Sequence, residues 1–557
     1  MKKLNTIILA VASIMLLTTG CIQEIDPQNS TVTVIQAANA PGAYDNFVDA
    51  ITGQLTGQFT YNGNSSTTPW DFGYPSFYLQ RDVMGQDIVC ETAGSEWYTT
   101  WYACGTGLGP QYAVCQVPWT YYYKWIKNCN NVISMYVAAP TEDHEPGAGI
   151  AYAMRAMFYM DLARMFCPTT YALDKQAITV PIITEETAIA DLTSNPRATN
   201  EVMWAQIISD LDMAEELLAG WTRPDKYVPD QSVVYGLKAR AYLTMEDWAN
   251  AQKYAKMAQN GYTMMSREQY LSMTDGFNTP NASWMFAMTY KSDDPNIILN
   301  DADSCWGSQM IIEVSESGCG YSSNYVGPKR IDYHLFSTIP QTDFRRMCWV
   351  DWAIDDLGSA AAKVEALSAY STSPSGLYNT GTVVSGSGIL GGMPVKFRPK
   401  GGEHNDQYAA FTVAVPMMRV EEMMLIEAEA AGMQNEANGI ALLKAFAQTR
   451  DPQFNYEETT YDTYGGSSTK FQNAVWWQRR VELWGEGFAT FDIKRLNKGI
   501  VRSYAGTNHP EGDRWNTTTP PQWMTLCIVQ TETNYNSACE QNPTPIKPTA
   551  DSPEYTW

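Results

Sequence analysis

Aromatic side chains beside amides and carboxylates recur in three loop-like stretches of this 557-residue chain, and these are the residues best equipped for chemistry. GSEWYTTWYACGTG at 94–107 holds Glu96, Trp97, Tyr98, Trp101 and Tyr102 among flexible glycines. SCWGSQM at 304–310 supplies Trp306 and Gln309, and GCGYSSNYVG at 318–327 supplies Tyr321, Asn324 and Tyr325. A flat ring covers the apolar face of a pyranose while neighbouring amides and carboxylates bond its hydroxyls, so the chemistry on offer is non-covalent recognition of a saccharide. The same side chains also serve loop packing or a protein interface. With 18 Trp and 33 Tyr in the chain, the core is the default destination of most of them. The ligand-contact candidates are Trp97, Tyr98, Trp101, Trp306, Tyr321 and Tyr325.

Signals for covalent catalysis are poor. No HExxH, GxSxG or Walker A pattern occurs, and His144, His334, His404 and His509 stand apart without metal-ligand spacing. GTGLG at 105–109 follows no convincing strand. Asp301 and Asp303 alternate as in a calcium loop, but Cys305 and Trp306 stand where such a loop needs an oxygen ligand and a glycine. The absence of CxxC disfavours a zinc or thioredoxin-like site. The reading is a binding protein, not an enzyme, with no catalytic residue, cofactor or metal. A glycosidase needs only two well-placed carboxylates, and 60 Asp and Glu residues keep it as the rival class.

The N-terminus says where the chain works. Lys2 and Lys3 precede the short apolar run Ile7–Leu17, and Thr18, Thr19 and Gly20 lead into Cys21. That is the layout of a bacterial secretory signal, with an apolar run too short to span a bilayer. A cysteine directly after small residues predicts lipoprotein processing with Cys21 acylated, although Thr18 takes the place usually held by leucine. Two or more acyl chains hold a protein firmly on a membrane surface. Residues 1–20 read as the leader, 21–40 as a polar tether and 41–557 as the folded body. Losing Lys2 and Lys3 takes the formal charge from −23 to −25, which excludes general electrostatic binding of nucleic acid. Ten cysteines remain beyond Cys21, and Cys305/Cys319 and Cys527/Cys539 are near enough in sequence for local disulfide loops.

Stepwise apolar spacing predicts the elements that must position the loops. Helices are expected over 121–136, 150–166, 200–218, 232–259, 417–432 and 437–449. Ala156, Tyr159, Ala163 and Phe166 form one stripe, and Val202, Ala205, Ile208, Leu211, Ala214 and Leu218 another, with Thr199 as N-cap. Val234, Leu237, Ala241 and Met245 face Trp248, Ala251, Ala255 and Ala258 across a break at 245–247. Small residues on facing stripes let two antiparallel helices approach closely, as in a tetratricopeptide-type pair. Residues 41–118 look irregular apart from helical pieces around 42–56, and 371–392 (STSPSGLYNTGTVVSGSGILGG) reads as loop. The fold class is therefore mostly α. A helical-pair scaffold over about 119–260 and 416–500 is interrupted by a loop-rich insertion, about 261–415, that carries the site. The Pro/Thr-rich C-terminal tail should be largely irregular.

Several segments carry a family likeness. QRRVELWGEGFATFDIKRLN at 478–497 resembles the C-terminal signature of SusD/RagB lipoproteins, roughly ERRxELxxEGxRxxDLxRW, with Arg479, Glu482, Glu486, Gly487, Asp492 and Arg495 on matching positions. Gln478 and Ala489 depart from the pattern, so part of its polar network must differ. MRVEEMMLIEAEAAG at 418–432 resembles the LRLAEVYLIxAEA helix through Arg419, Glu422, Glu429 and Ala430. SVVYGLKARAYLTMEDWANA at 232–251 resembles the family's AxxALLARVYLxxGDWxxA pair, and LQRDVMGQDIV at 79–89 an N-terminal family segment. The charged residues read as scaffold: on one helix Arg479 and Glu482 are i,i+3 neighbours and Glu482 and Glu486 i,i+4, placed to pair or to satisfy the turn at Gly487.

The resemblance implies a lid on a SusC-like TonB-dependent outer-membrane barrel, capturing nutrients at the cell surface of Bacteroidota. The implied ligand is a glycan, or a peptide in some members. Lipid attachment at Cys21 and surface exposure fit the same picture, as do Glu24 and Asp26, which are in keeping with an acidic surface-export signal.

Overall fold

Capping side chains start the main helices where the sequence places them. In the computed structural model, which describes residues 34–57, 71–90, 98–104, 108–458 and 468–557, Thr199 accepts the Val202 N–H at 3.3 Å. Asp230 and Asp247 do the same for Val233 (3.1 Å) and Asn250 (3.2 Å). Cys21 and Trp97 lie outside the described residues. The principal helices are α1 (Ala43–Gly53), α2 (Tyr74–Val83), α3 (Ala113–Ala138), α4 (Glu145–Phe166), α5 (Asn200–Leu217), α6 (Gln231–Met245) and α7 (Trp248–Ala258). After a long insertion come α8 (Val420–Gln434), α9 (Glu436–Ala447), α10 (Lys470–Glu482) and α11 (Ala489–Arg495). The break between α6 and α7 is a single left-handed residue, Glu246 (φ 57°), followed by the Asp247 cap.

Neighbours in sequence pack as neighbours in space: α3 on α4, α4 on α5, α5 on α6 and α6 on α7. α8 then stacks directly on α7, and α9 on α8, so the tetratricopeptide-like array continues across the insertion as if it were absent. Small residues permit the close approaches. A Cβ at Gly439 would stand 2.3 Å from the Gly432 backbone, and one at Gly432 would stand 2.0 Å from the Phe471 ring. Two antiparallel strand pairs close the insertion. Strand β2 (Trp284–Thr289) pairs with β4 (Ala414–Arg419), and the short β1 (Ile88–Val89) pairs with β3 (Arg330–Ile331). The first pair staples the two ends of the insertion together beside α6.

Several expectations are corrected. The buried face of α5 is Met203, Ile207, Leu211, Ala214 and Leu218, whereas Val202 and Ala205 are exposed. The helix is turned this way because Asp210 is buried against Arg155 through two hydrogen bonds, 2.8 and 2.7 Å. Residues 374–384, expected as loop, form a helix (Pro374–Asn379) that runs into a wider turn (Thr380–Val384). Pro374 occupies its first turn, and Leu377 joins Leu390, Met393, Val395 and Ile312 in a small core of the insertion's own. α2 is buried along its whole length although its surroundings read as irregular. Residues 34–39, read as the end of the tether, form a short helix packed on α1 and α3. No helix among the described residues is long and apolar enough to cross a membrane.

Candidate functional site

The motif residues converge on a buried ionic network. Arg419, the last residue of β4, clasps Glu486 through two 2.9 Å contacts and reaches Glu482 at 3.1 Å. Glu482, ending α10, also receives Arg345 and Arg450, each at 3.2 Å. Lys396 stands 2.6 Å from Glu486 and donates to the carbonyls of Glu482 and Trp484. Glu421 bonds Arg419 and Arg450, and Asp343 bonds Arg345, so cations and carboxylates balance inside a buried core. Burial opposes ionisation of Glu482, yet Arg450, Arg419 and Arg345 outweigh it and hold the carboxyl far below its ordinary range.

Two smaller clusters use the remaining positions. Arg495 forks onto Glu429 (2.6 and 2.9 Å) and shares Asp492 with Arg479, and Arg240 forks onto Glu422 (2.7 Å twice). Of the two roles that the spacing allowed, the Arg479–Glu482 pair does not form, and Arg479 bonds Asp492 instead. α10 stops at Glu482, and Gly485 and Gly487 turn the chain with φ 76° and 82°, so Glu486 is not a helical neighbour of Glu482 either. An i,i+3 pair would have left Arg345, Arg419 and Arg450 short of their shared carboxylate. Arg345, Lys396 and Arg450 were not legible in sequence, because each joins the network from a distant segment, whereas Glu421 lies two residues beyond Arg419 in the same motif.

The aromatic candidates divide by burial. Trp306, Tyr98 and Trp101 are 1%, 1% and 4% exposed. Trp306 stands edge-on to Phe397 and Tyr78, and the Tyr98 and Trp101 rings pack 5.4 Å apart. These three rings face protein in this structure, and a sugar would have to displace that packing. Tyr321 is half-buried, whereas Tyr325 is 50% exposed with its ring 5.7 Å from that of Tyr321.

Trp306 begins the short helix Trp306–Met310, which serves as a platform for the turn at 318–325. Ser308 Oγ accepts the Tyr321 N–H (2.9 Å), and Asp303 accepts the Gly320 N–H (3.0 Å). Phe411 fills the joint: a Cβ on Gly307 would stand 2.4 Å from its ring. The segment ending in Phe411 brings in Tyr408, 40% exposed, whose hydroxyl donates to Asp301 at 3.1 Å. Asn300, Asp301 and Ala302 are consecutively left-handed (φ 51°, 56°, 60°), a strained conformation held between these elements. Burial and the neighbouring Asp301 charge push the Asp303 carboxyl up to about 6, against the pull of the Gly320 N–H. Burial and then the Asp303 charge push the Tyr325 phenol up to about 12. The surface is thus two half-exposed phenol rings beside the exposed Asp301 carboxylate, with the Asp303 carboxylate buried behind it. The carboxylates that act on Asp303, Tyr325 and Tyr408 are those of Asp301 and Asp303. Tyr408 had no sequence signal, since only folding brings it beside a residue more than a hundred positions earlier. Among the described residues no group of three His, Cys, Asp or Glu is arranged to hold a metal ion.

A family model described as "Starch-binding associating with outer membrane" matches residues 92–243, and the model of the SusD family matches residues 345–544. The chain belongs to the SusD/RagB family. The SusD-like protein P38 of Formosa agariphila is 21% identical over 412 residues, covering 71% of this chain and 74% of that protein. A SusD-like carbohydrate binding protein from Bacteroides vulgatus superposes with a TM-score of 0.67 at 21% identity, over 89% of this chain and 97% of its own. The surface glycan-binding protein A from Bacteroides thetaiotaomicron, solved with laminarihexaose, gives a TM-score of 0.61 at 15% identity, over 90% and 99%. The continuous helical array is thus the fold that these solved structures share.

Proposed function

We propose that this SusD-like chain is a cell-surface lipoprotein that captures oligosaccharides or polysaccharide fragments and delivers them to a SusC-like TonB-dependent outer-membrane transporter. The observation that carries this reading is the exposure of the Tyr325 and Tyr408 rings on the insertion, with the Tyr408 hydroxyl bonded to the exposed Asp301 carboxylate. Half-exposed rings stack on pyranose faces, and carboxylates accept hydrogen bonds from sugar hydroxyls. The capture of laminarihexaose by a protein of the same fold supports it. The acidic lining favours neutral glycans over uronate-rich or sulfated ones, which would meet like charge. Acylated Cys21 anchors the chain to outer-membrane lipid. The ionic network is a rigid support and takes no part in covalent chemistry.

Titration calorimetry of the purified chain against neutral β-glucan oligosaccharides, oligouronates and short peptides tests the ligand class. Binding of the neutral glycans alone is the expected result. Binding of peptides alone identifies a peptide-capturing member of the family, and measurable glycan turnover identifies a hydrolase. Co-purification with a barrel from outer membranes tests delivery separately; recovery without any barrel overturns it.

A further inference from the structure

A cleft of about 370 Å³ opens between the turn at 338–343, the segment that follows α9 and the side of α10. Thr342, Asp451, Gln453, Phe454, Asn455 and Trp477 stand on its walls, and none of them belongs to the Tyr325–Tyr408 surface. The ionic network fixes those walls. The Phe344 N–H donates to the Arg450 carbonyl (3.2 Å), and Arg345 and Arg450 share Glu482 at 3.2 Å each. The Trp477 indole donates to Thr338 Oγ1 at 2.8 Å, tying α10 to the first wall. Asp343 is neutralised by Arg345 at 2.6 Å. Asp451 is not: it is only 5% exposed, its Oδ1 accepts the Gln453 N–H (2.9 Å), and its other oxygen has no partner among the described residues. The Thr342 hydroxyl and the Gln453 side-chain amide are likewise without a hydrogen bond among the described residues.

We propose that this cleft is a second saccharide site, which takes a neutral mono- or disaccharide unit independently of the Tyr325–Tyr408 surface. Its volume lies within the range of small-molecule pockets. A carboxylate oxygen withdrawn from bulk water and left unpaired is costly, so a ligand that donates to Asp451 is favoured. A sugar hydroxyl donates to Asp451 and can also accept from Thr342 or from the Gln453 and Asn455 amides, so one chemical group satisfies both kinds of wall atom. An ammonium only donates and would leave those donors facing no acceptor. A uronate or phosphate would meet the Asp451 and Glu458 charges. Phe454 and Trp477, buried except for ring edges, supply the apolar contact for the C–H side of the sugar. The role of the cleft as a second hold on one polysaccharide rests on the glycan-capture reading. Two sites on one rigid body make the second contact intramolecular, so a long glycan gains over a disaccharide.

The test is calorimetry of the full chain against neutral disaccharides (cellobiose, laminaribiose and maltose), with trilysine and glucuronate as the charged probes. In Tyr325→Ala/Tyr408→Ala a neutral disaccharide should still bind. Adding Gln453→Ala/Asn455→Ala, both at exposed positions, should weaken that residual binding about tenfold with the melting temperature unchanged. Asp451→Asn should weaken it as well, and the exposed pair keeps the test decisive if that variant folds poorly. Wild-type binding that vanishes in Tyr325→Ala/Tyr408→Ala overturns the second site and leaves the first standing. Residual binding indifferent to Gln453→Ala/Asn455→Ala, or binding of trilysine or glucuronate in place of the sugars, also overturns it. Binding lost in Gln453→Ala/Asn455→Ala but intact in Tyr325→Ala/Tyr408→Ala upholds the cleft and overturns the Tyr325–Tyr408 reading instead.

Discussion

The Asp82 carboxylate accepts the backbone N–H of Gly487 at 2.9 Å and that of Ala489 at 3.0 Å, tying α2 to the turn between α10 and α11. The same junction carries Arg480 forked onto Asp87 and the Trp484 indole donating to the Asp87 carbonyl at 2.9 Å. Two segments that resemble family motifs separately, 79–89 and 478–497, are thus one structural unit. Asp82→Ala strands two N–H groups and should destabilise the chain by about 2–4 kcal/mol. Denaturant titration followed by Trp fluorescence checks this, with an unchanged midpoint counting against it.

Glu482 is shared by three guanidiniums, so its charge has no substitute nearby. Glu482→Gln leaves buried positive charge uncompensated and should cost about 3–5 kcal/mol. The expected outcome is a strongly lowered melting temperature or insoluble protein, read by calorimetry and by soluble yield.

The pH dependence of stability should have two limbs. Burial resists ionisation of Glu482, Glu486 and Asp492, but the facing cations hold all three below their ordinary range. As pH falls, the unfolded chain takes up protons before the folded one does. Their contribution is therefore complete above about pH 5 and lost as pH falls through the ordinary carboxylate range toward the folded values. Asp82 has the opposite sign: burial pushes it up to about 7 against the Ala489 and Gly487 N–H bonds. Its contribution is present below about pH 4 and lost as pH rises through 7. Melting temperatures from pH 3 to 8 should show a maximum in the mildly acidic range, and Asp82→Asn should flatten the decline on its alkaline side.

Exposed and buried aromatic residues should separate by readout. Tyr325→Ala and Tyr408→Ala should each weaken glycan binding about tenfold with the melting temperature unchanged. Trp306→Ala removes a buried ring and should cost about 3–5 kcal/mol of stability. Calorimetric binding and melting curves on the three variants distinguish these outcomes.

Gly307 leaves no room for a side chain against Phe411. Gly307→Ala should displace Phe411 and with it Tyr408, weakening glycan binding together with a stability loss of about 1–3 kcal/mol. Unaltered binding would show that Tyr408 is positioned independently of that joint.

Local patterns determined much of this protein. Thr199, Asp230 and Asp247 set helix starts through bonds to N–H groups three residues away, and the Ala-rich stripes of α6 and α7 specified a close helical pair. Such features depend on neighbours a few positions distant, which is the range over which residue type and spacing act directly. Only the tertiary structure decided which charges meet. Arg345, Lys396, Arg419 and Arg450 reach the end of α10 from four segments, and burial enforces the pairing because an unpaired charge there is untenable. It also buried Trp306 and Trp101, left Tyr325 exposed, and brought Tyr408 to Asp301. An aromatic residue has the same composition whether its ring meets a core or a ligand. Its surroundings, assembled from distant parts of the chain, make the choice.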